Sequence, residues 1–204
     1  MPQSLQGVSV TIGGIPAPLL YVSPGQINLQ VPFELPLGIT DLVVRRGAQA
    51  SAARPVRVIA ATPGIFTFSE DGRSQPVILH ATDYSPVTAS NPAHAGGYLT
   101  IFCTGLGATT LSVRSGDAAP PMPVPIQTNL GVSAGPVTYA GLAPGFAGLY
   151  QINLQLNDNV TPGMVSIGIN EANGTLLGNT VPLYIQCRWA LCASSLVAAN
   201  RSRT

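Results

Sequence analysis

Residues 26–31 read Gln-Ile-Asn-Leu-Gln-Val, and residues 151–156 read Gln-Ile-Asn-Leu-Gln-Leu. This near-duplicate is the centre of a longer internal repeat. Downstream the match runs without a gap, Gly38 with Gly163, Leu42 with Ile167 and Val44 with Ile169. Upstream, Pro18-Leu19-Leu20-Tyr21 matches Pro136-Val137-Thr138-Tyr139 once seven extra residues before Gln151 are allowed, which sets Val8 against Ile126. Two copies of one supersecondary unit argue for a modular chain rather than a single catalytic domain.

The chain has 204 residues, enough for one large domain or two small ones with a real core. Charged residues make up only 8% of it, about a third of the usual share. Lysine is absent and all nine basic residues are arginine. A lysine Schiff base and a Walker-type phosphate loop are thereby excluded. With a net charge of +1 and no basic run, the sequence carries no electrostatic footprint for nucleic acid. No run approaches the ~20 apolar residues of a membrane-spanning helix, and residues 1–6 lack the charged-then-apolar pattern of a signal peptide. Three cysteines give no disulfide framework. Cys103 reads as a small buried hydrophobe, while Cys187 and Cys192 are close enough in sequence to pair in an oxidising compartment.

Twenty-two glycines and nineteen prolines punctuate the chain evenly, which suits many short strands joined by turns. Ile27, Leu29 and Val31 alternate with Gln26, Asn28 and Gln30, the pattern of a half-buried strand with an amide outer face. Val8, Val10 and Ile12 alternate in the same way, as do Val165, Ile167 and Ile169. Further strands are expected at 56–59, 65–68, 76–81, 98–104 and 181–185. Gly13-Gly14, Pro24-Gly25, Asp71-Gly72, Ser115-Gly116-Asp117 and Asn173-Gly174 supply turns. The proline in Ala61-Thr62-Pro63-Gly64 marks the boundary between units. Residues 187–204 lack Pro and Gly and read as a poorly ordered tail or a short helix.

Gly7-Val8-Ser9-Val10, the run from Tyr21 through Gln26-Ile27-Asn28-Leu29-Gln30-Val31-Pro32, and Pro63-Gly64-Ile65-Phe66 carry a resemblance. So do Asn91-Pro92-Ala93, Thr104-Gly105-Leu106-Gly107, and Tyr139-Ala140-Gly141-Leu142-Ala143-Pro144-Gly145 leading into Tyr150-Gln151-Ile152-Asn153. Over residues 5–186 the chain resembles the uncharacterised C-terminal domain of large secreted acidobacterial proteins of the Solibacter type. The resemblance implies tandem immunoglobulin-like sandwich modules at the end of exported proteins, hence an extracellular or cell-surface location. It implies no activity and no catalytic residues. Members of that family have further strands before the segment that opens this chain.

Several residue groups invite a chemical reading, and each has a plainer one. Gly131-Val132-Ser133-Ala134-Gly135 matches the nucleophile elbow of a hydrolase, but a strand-like segment follows it and both histidines, His80 and His94, precede it. Ser133 therefore reads as a turn residue. His80 and His94 show no spacing for a metal pair. Asn157-Asp158-Asn159 and Ser69-Glu70-Asp71-Gly72 offer oxygens to a cation but read first as turns. The six tyrosines (Tyr21, Tyr84, Tyr98, Tyr139, Tyr150 and Tyr184) and Trp189 are the aromatics available to stack on a sugar, and the repeat-equivalent pair Tyr21 and Tyr139 suggests a structural role. Asn159-Val160-Thr161 and Asn173-Gly174-Thr175 match the glycosylation sequon.

The expectation is thus an all-β chain of two tandem immunoglobulin-like β-sandwich units. The first spans 1–61 and is short of its N-terminal strands, the second spans 62–186, and a tail covers 187–204. Its expected function is a non-catalytic structural or adhesive module, with no catalytic, cofactor or metal residues. A carbohydrate-binding module is the alternative, and a serine hydrolase using Ser133 a distant one. The first unit has only seven residues before Val8, so the Val8–Ile12 strand is expected to present an open edge. Other domains or chains would pair there, glycan being a further partner, and the chain would be a piece of a longer protein.

Overall fold

The computed structural model of the chain describes residues 1–186. The expectations for the tail, for the Cys187–Cys192 pair and for Trp189 lie outside the described residues. What is described is all-β: strands β1 to β18 with turns and loops between them. Short β-branched and alternating runs cut by Gly and Pro leave no room for a helix. In order, β1 is Ser4–Leu5, β2 Val8–Ile12, β3 Ile15–Pro16, β4 Leu19–Val22, β5 Ile27–Leu29 and β6 Gly38–Arg46. Then come β7 Gln49–Ala50, β8 Arg54–Val58, β9 Gly64–Ile65, β10 Ile78–His80, β11 Ala93–His94 and β12 Tyr98–Thr104. The last are β13 Val124–Pro125, β14 Leu130–Val132, β15 Val137–Leu142, β16 Tyr150–Gln155, β17 Gly163–Glu171 and β18 Leu176–Gln186.

Two compact units divide the chain, and their first boundary falls between Thr62 and Pro63, one residue from the expected place. The rest of the expected division needs correcting, because the first unit is discontinuous. It comprises residues 1–62, 105–128 and 141–150, while the second, among the described residues, comprises 63–104, 129–140 and 151–186.

In the first unit, β1, β2, β6 and β7 lie in that order, with β3 also pairing β2 and β8 also pairing β6. Val8, Val10 and Ile12 point into a core shared with Ala17, Leu19, Val22 and Leu35. Strand β2 is not an open edge. One side pairs with β6 along its whole length, from Val8↔Arg46 to Ile12↔Leu42. The other side pairs with β1 at Val8 and Ser9 and with β3 at Thr11 and Ile12. The Ala17 N–H donates to the Val10 carbonyl at 2.9 Å and fills the gap between them. The expected open edge at Val8–Ile12 is therefore filled from within the chain.

The unit is completed from within the chain. The turn at Arg114–Asp117 docks on residues 30–34: the Phe33 N–H donates to Ser115 Oγ at 2.8 Å, and Ser115 Oγ donates to Glu34 Oε2 at 2.6 Å. The Gly116 N–H donates to Gln30 Oε1 at 2.8 Å. Leu106, Ala119, Val124, Leu142 and Ala143 are all buried.

In the second unit one sheet runs β10, β12, β16, β15, with β9 also pairing β12; another runs β11, β18, β17, β14. Leu99, Ile101, Cys103, Ile152 and Leu154 form the buried row of the first sheet, and Ile167, Ile169, Val181, Leu183 and Ile185 that of the second. Pairing register also corrects the upstream half of the repeat. Val10 faces Val44 in the first copy, and Val132 faces Ile169, the match of Val44, in the second. Val8 thus corresponds to Leu130 rather than Ile126. The second copy lacks four residues of the turn that follows, whereas the match of Pro18 with Pro136 and the seven extra residues before Gln151 stand, because the Gln30 N–H donates to the Pro18 carbonyl as the Gln155 N–H does to the Pro136 carbonyl.

Candidate functional site

The second unit presents one sheet face on which amides and aromatics stand together. In β16, Ile152 and Leu154 are buried while Gln151, Asn153 and Gln155 are half-exposed, as period-two alternation requires. The neighbouring β12 buries Leu99, Ile101 and Cys103, which sends Tyr98 to the outer face, where it is 52% exposed. Beside β12, Ile65 and Thr67 are buried and Phe66 and Phe68 point outward, 43% and 54% exposed. The Phe66 N–H donates to the Phe102 carbonyl at 3.1 Å and the Val77 N–H to the Phe66 carbonyl at 2.7 Å, which locks that aromatic onto the sheet. None of Phe66, Phe68, Tyr98, Gln151, Asn153 and Gln155 carries a charge. Gln151 Nε2 donates to Asn153 Oδ1 at 3.4 Å, and the same pair recurs in the first copy as Gln26 Nε2 to Asn28 Oδ1 at 2.7 Å.

Of the tyrosines available to stack on a sugar, Tyr21, Tyr84 and Tyr98 are exposed and Tyr150 is buried, its hydroxyl donating to the Gly107 carbonyl. Tyr84 sits at a left-handed turn position with φ of 57°, which holds its ring outward at 64% exposure. Phe66 and Phe68 were not singled out in the sequence, although the alternation of Ile65-Phe66-Thr67-Phe68 is the signal that marks them.

The other candidate residues do not assemble. Ser133 is an exposed residue of the turn after β14, and that turn leads into a strand rather than the helix a nucleophile elbow needs. His80 Nε2 lies 3.3 Å from the Asn91 carbonyl, and His94 contacts Gln186 Nε2. Asp71 is consumed by its own loop. Its Oδ1 accepts from Ser69 Oγ and from the Arg73 and Ser74 N–H groups, and its Oδ2 from Ser74 Oγ. Those bonds, the Ser74 hydroxyl first, hold its carboxyl well below the usual range. Asp83 is lowered likewise by the Ser85 N–H and hydroxyl. Asn157-Asp158-Asn159 is an exposed turn, and Asn173 Oδ1 caps the Thr175 N–H in another. Among the described residues no three His, Cys, Asp or Glu side chains gather closely enough to hold a metal ion. Cys103 is free and fully buried, and burial pushes its thiol up to about 12, so it stays protonated and inert.

Fold and site together define an all-β, charge-poor protein with an uncharged amide and aromatic sheet face. No protein-family model, no curated protein and no solved structure matches this chain.

Proposed function

We propose that the chain is a non-catalytic adhesive module of an exported, surface-associated protein, built from tandem immunoglobulin-like units of the Solibacter-type C-terminal family it resembles. One observation carries the reading: the outer face of the second unit combines exposed Phe66, Phe68 and Tyr98 with the half-exposed amides of β16. Rings at fixed positions lose little entropy on contact, and amides both donate and accept hydrogen bonds. An uncharged face of this kind adheres to uncharged matter.

That face also favours the more specific reading of a carbohydrate-binding module, with a neutral polysaccharide as ligand. Sugar rings stack their C–H faces on aromatic side chains, and their hydroxyls match Gln and Asn. A glycan array of neutral and acidic polysaccharides tests it, followed by calorimetry on the best binder. If each ring contributes about 1 kcal/mol, Phe66→Ala with Tyr98→Ala weakens binding by more than tenfold. Binding that survives both changes, or is confined to charged glycans, removes this face from the account.

A further inference from the structure

The open edge expected at Val8–Ile12 is closed, but another strand is left half open. Strand β17 pairs with β18 along nearly its whole length, from Gly163↔Ile185 to Asn170↔Leu176. On its other side β14 reaches only Ile169, Asn170 and Glu171. The chain then turns away at Ser133, and the Asn157 N–H captures the Ala134 carbonyl at 3.1 Å. Among the described residues, 163–167 therefore have a strand on one side only. Beneath them lies a slot of about 270 Å³ lined by Ser133, Ala134, Val160, Val165, Ile167 and Ile185, all uncharged.

Natural edges carry guards, usually a charge, a proline or a bulge. Strand β8, at the end of the first unit's sheet, has Arg54, Pro55 and Arg57. The segment Gly163-Met164-Val165-Ser166-Ile167 has no charge and no proline, and Met164 is 67% exposed. In the first copy the matching segment is Gly38-Ile39-Thr40-Asp41-Leu42, and Asp41 stands where the second copy has Ser166.

We propose that residues 163–167 of β17 pair antiparallel with the same residues of a second copy of this chain, about a two-fold axis at Val165. Two uncharged edges meet without repulsion. Pairing supplies the missing backbone hydrogen bonds, and the second copy's Val165 points inward beside the slot. A contact of five residues per copy falls short of the ~1,200 Å² that a stable interface buries, so the dimer is weak and concentration-dependent. The pairing is independent of glycan and is read without it.

Sedimentation equilibrium over a concentration series, with hydrogen exchange at low and high concentration, tests the proposal on the full chain. The expected result is a monomer–dimer equilibrium in which amides of residues 163–167 gain protection as concentration rises. Val165→Lys sets two like charges face to face and should abolish the dimer. Ser166→Asp, an exposed change that installs the first copy's guard, should weaken it at least tenfold and leaves an answer if the inward lysine harms folding. Asp41→Ser should not weaken it. A monomer at every concentration, a dimer indifferent to Ser166→Asp, or protection appearing elsewhere would each overturn the proposal. So would protection of residues 163–167 only on adding an unrelated extended peptide.

Discussion

Five of six residues are identical between 26–31 and 151–156, yet the two segments are buried differently. In the second copy the alternation runs unbroken: Ile152, Leu154 and Leu156 are buried, and Gln151, Asn153 and Gln155 are half-exposed. In the first, Gln26 and Asn28 face outward over half-buried Ile27 and Leu29, and then the pattern inverts. Gln30 is buried at 8% exposure and Val31 is 52% exposed. The expected outward Gln30 and inward Val31 are corrected here, and the cause is tertiary. Both copies tie this glutamine's N–H to the matching proline carbonyl, Gln30 to Pro18 and Gln155 to Pro136, but strand β5 ends at Leu29 and the turn at 114–117 covers Gln30 and hydrogen-bonds its amide oxygen. A repeat transmits strand propensity and turn chemistry from copy to copy. It does not transmit what each strand end meets.

The turn after the first strand of each copy gives the largest expected contrast. Gly135 ends that turn in the second copy, where a Cβ would collide with the Gln155 backbone carbonyl oxygen. Its counterpart Gly13, at φ of +57°, would meet chiefly the Thr40 hydroxyl and a Leu35 methyl, side-chain atoms that can move. Gly135→Ala should therefore destabilise by about 3 kcal/mol or more, since backbone must shift. Gly13→Ala should cost about 1–2 kcal/mol, the usual left-handed penalty with some repacking. Equilibrium denaturation of both variants checks the order. Equal losses would mean that the two turns are not held differently, and the revised alignment of the copies would fall with them.

The same contrast shows what the sequence carries and where it stops. Period-two alternation located β2, β16 and β17, and the spread of Gly and Pro announced an all-β chain, because both signals are local. The discontinuous first unit was not legible. Residues 105–128 hold one two-residue strand, β13, and otherwise attach through turns and single hydrogen bonds, which leave no period to read. The partners that close β2 escaped for the same reason, since β1 and β3 are two residues each. On the sheet face, Tyr98 and the amides of β16 were readable one strand at a time. Their union with Phe66 and Phe68 depends on β9 and β16 both flanking β12, which no local pattern encodes.

Gln30 and Gln155 sharpen the comparison at smaller scale. The Gly116 N–H is buried and bonds Gln30 Oε1, while Gln30 Nε2 has no partner. Gln30→Ala leaves that N–H without an acceptor and opens space beside it, and should cost about 2 kcal/mol. Gln30→Met keeps the volume, loses the acceptor and also removes the unpartnered Nε2, so the two changes offset and the cost should be no more than about 1 kcal/mol. Gln155→Ala, at a half-exposed position, should stay within about 0.5 kcal/mol. Thermal or chemical denaturation of the three variants decides. A Gln155→Ala loss as large as that of Gln30→Ala would show that the amides serve the strand itself rather than what packs on it.

The smallest expected effect lies at Glu34, which the repeat sets against Asn159, so only the first copy titrates there. Its carboxylate accepts from the Ser115 hydroxyl, the leading cause, and from the Ser115 N–H at 3.1 Å, with a weaker attraction from Arg114. Together these hold the Glu34 carboxyl below the usual glutamate value, against some desolvation. A depressed carboxylate pKa adds stability that is fully present above the unfolded-state value and is lost as pH falls through the folded one. Because Glu34 is exposed, screening leaves the contribution at no more than about 0.5 kcal/mol. A carbon-detected NMR titration reads it directly: the Glu34 carboxyl titrates below an ordinary glutamate, and Ser115→Ala returns it towards that value. Stability should then lose part of its decline below the usual glutamate range, while Asn159→Ala alters no such dependence. A Glu34 titration unmoved by Ser115→Ala would show that the 114–117 turn does not hold residues 30–34 through this pair, and would leave the Gly116 to Gln30 hydrogen bond as the contact that sets the two copies apart.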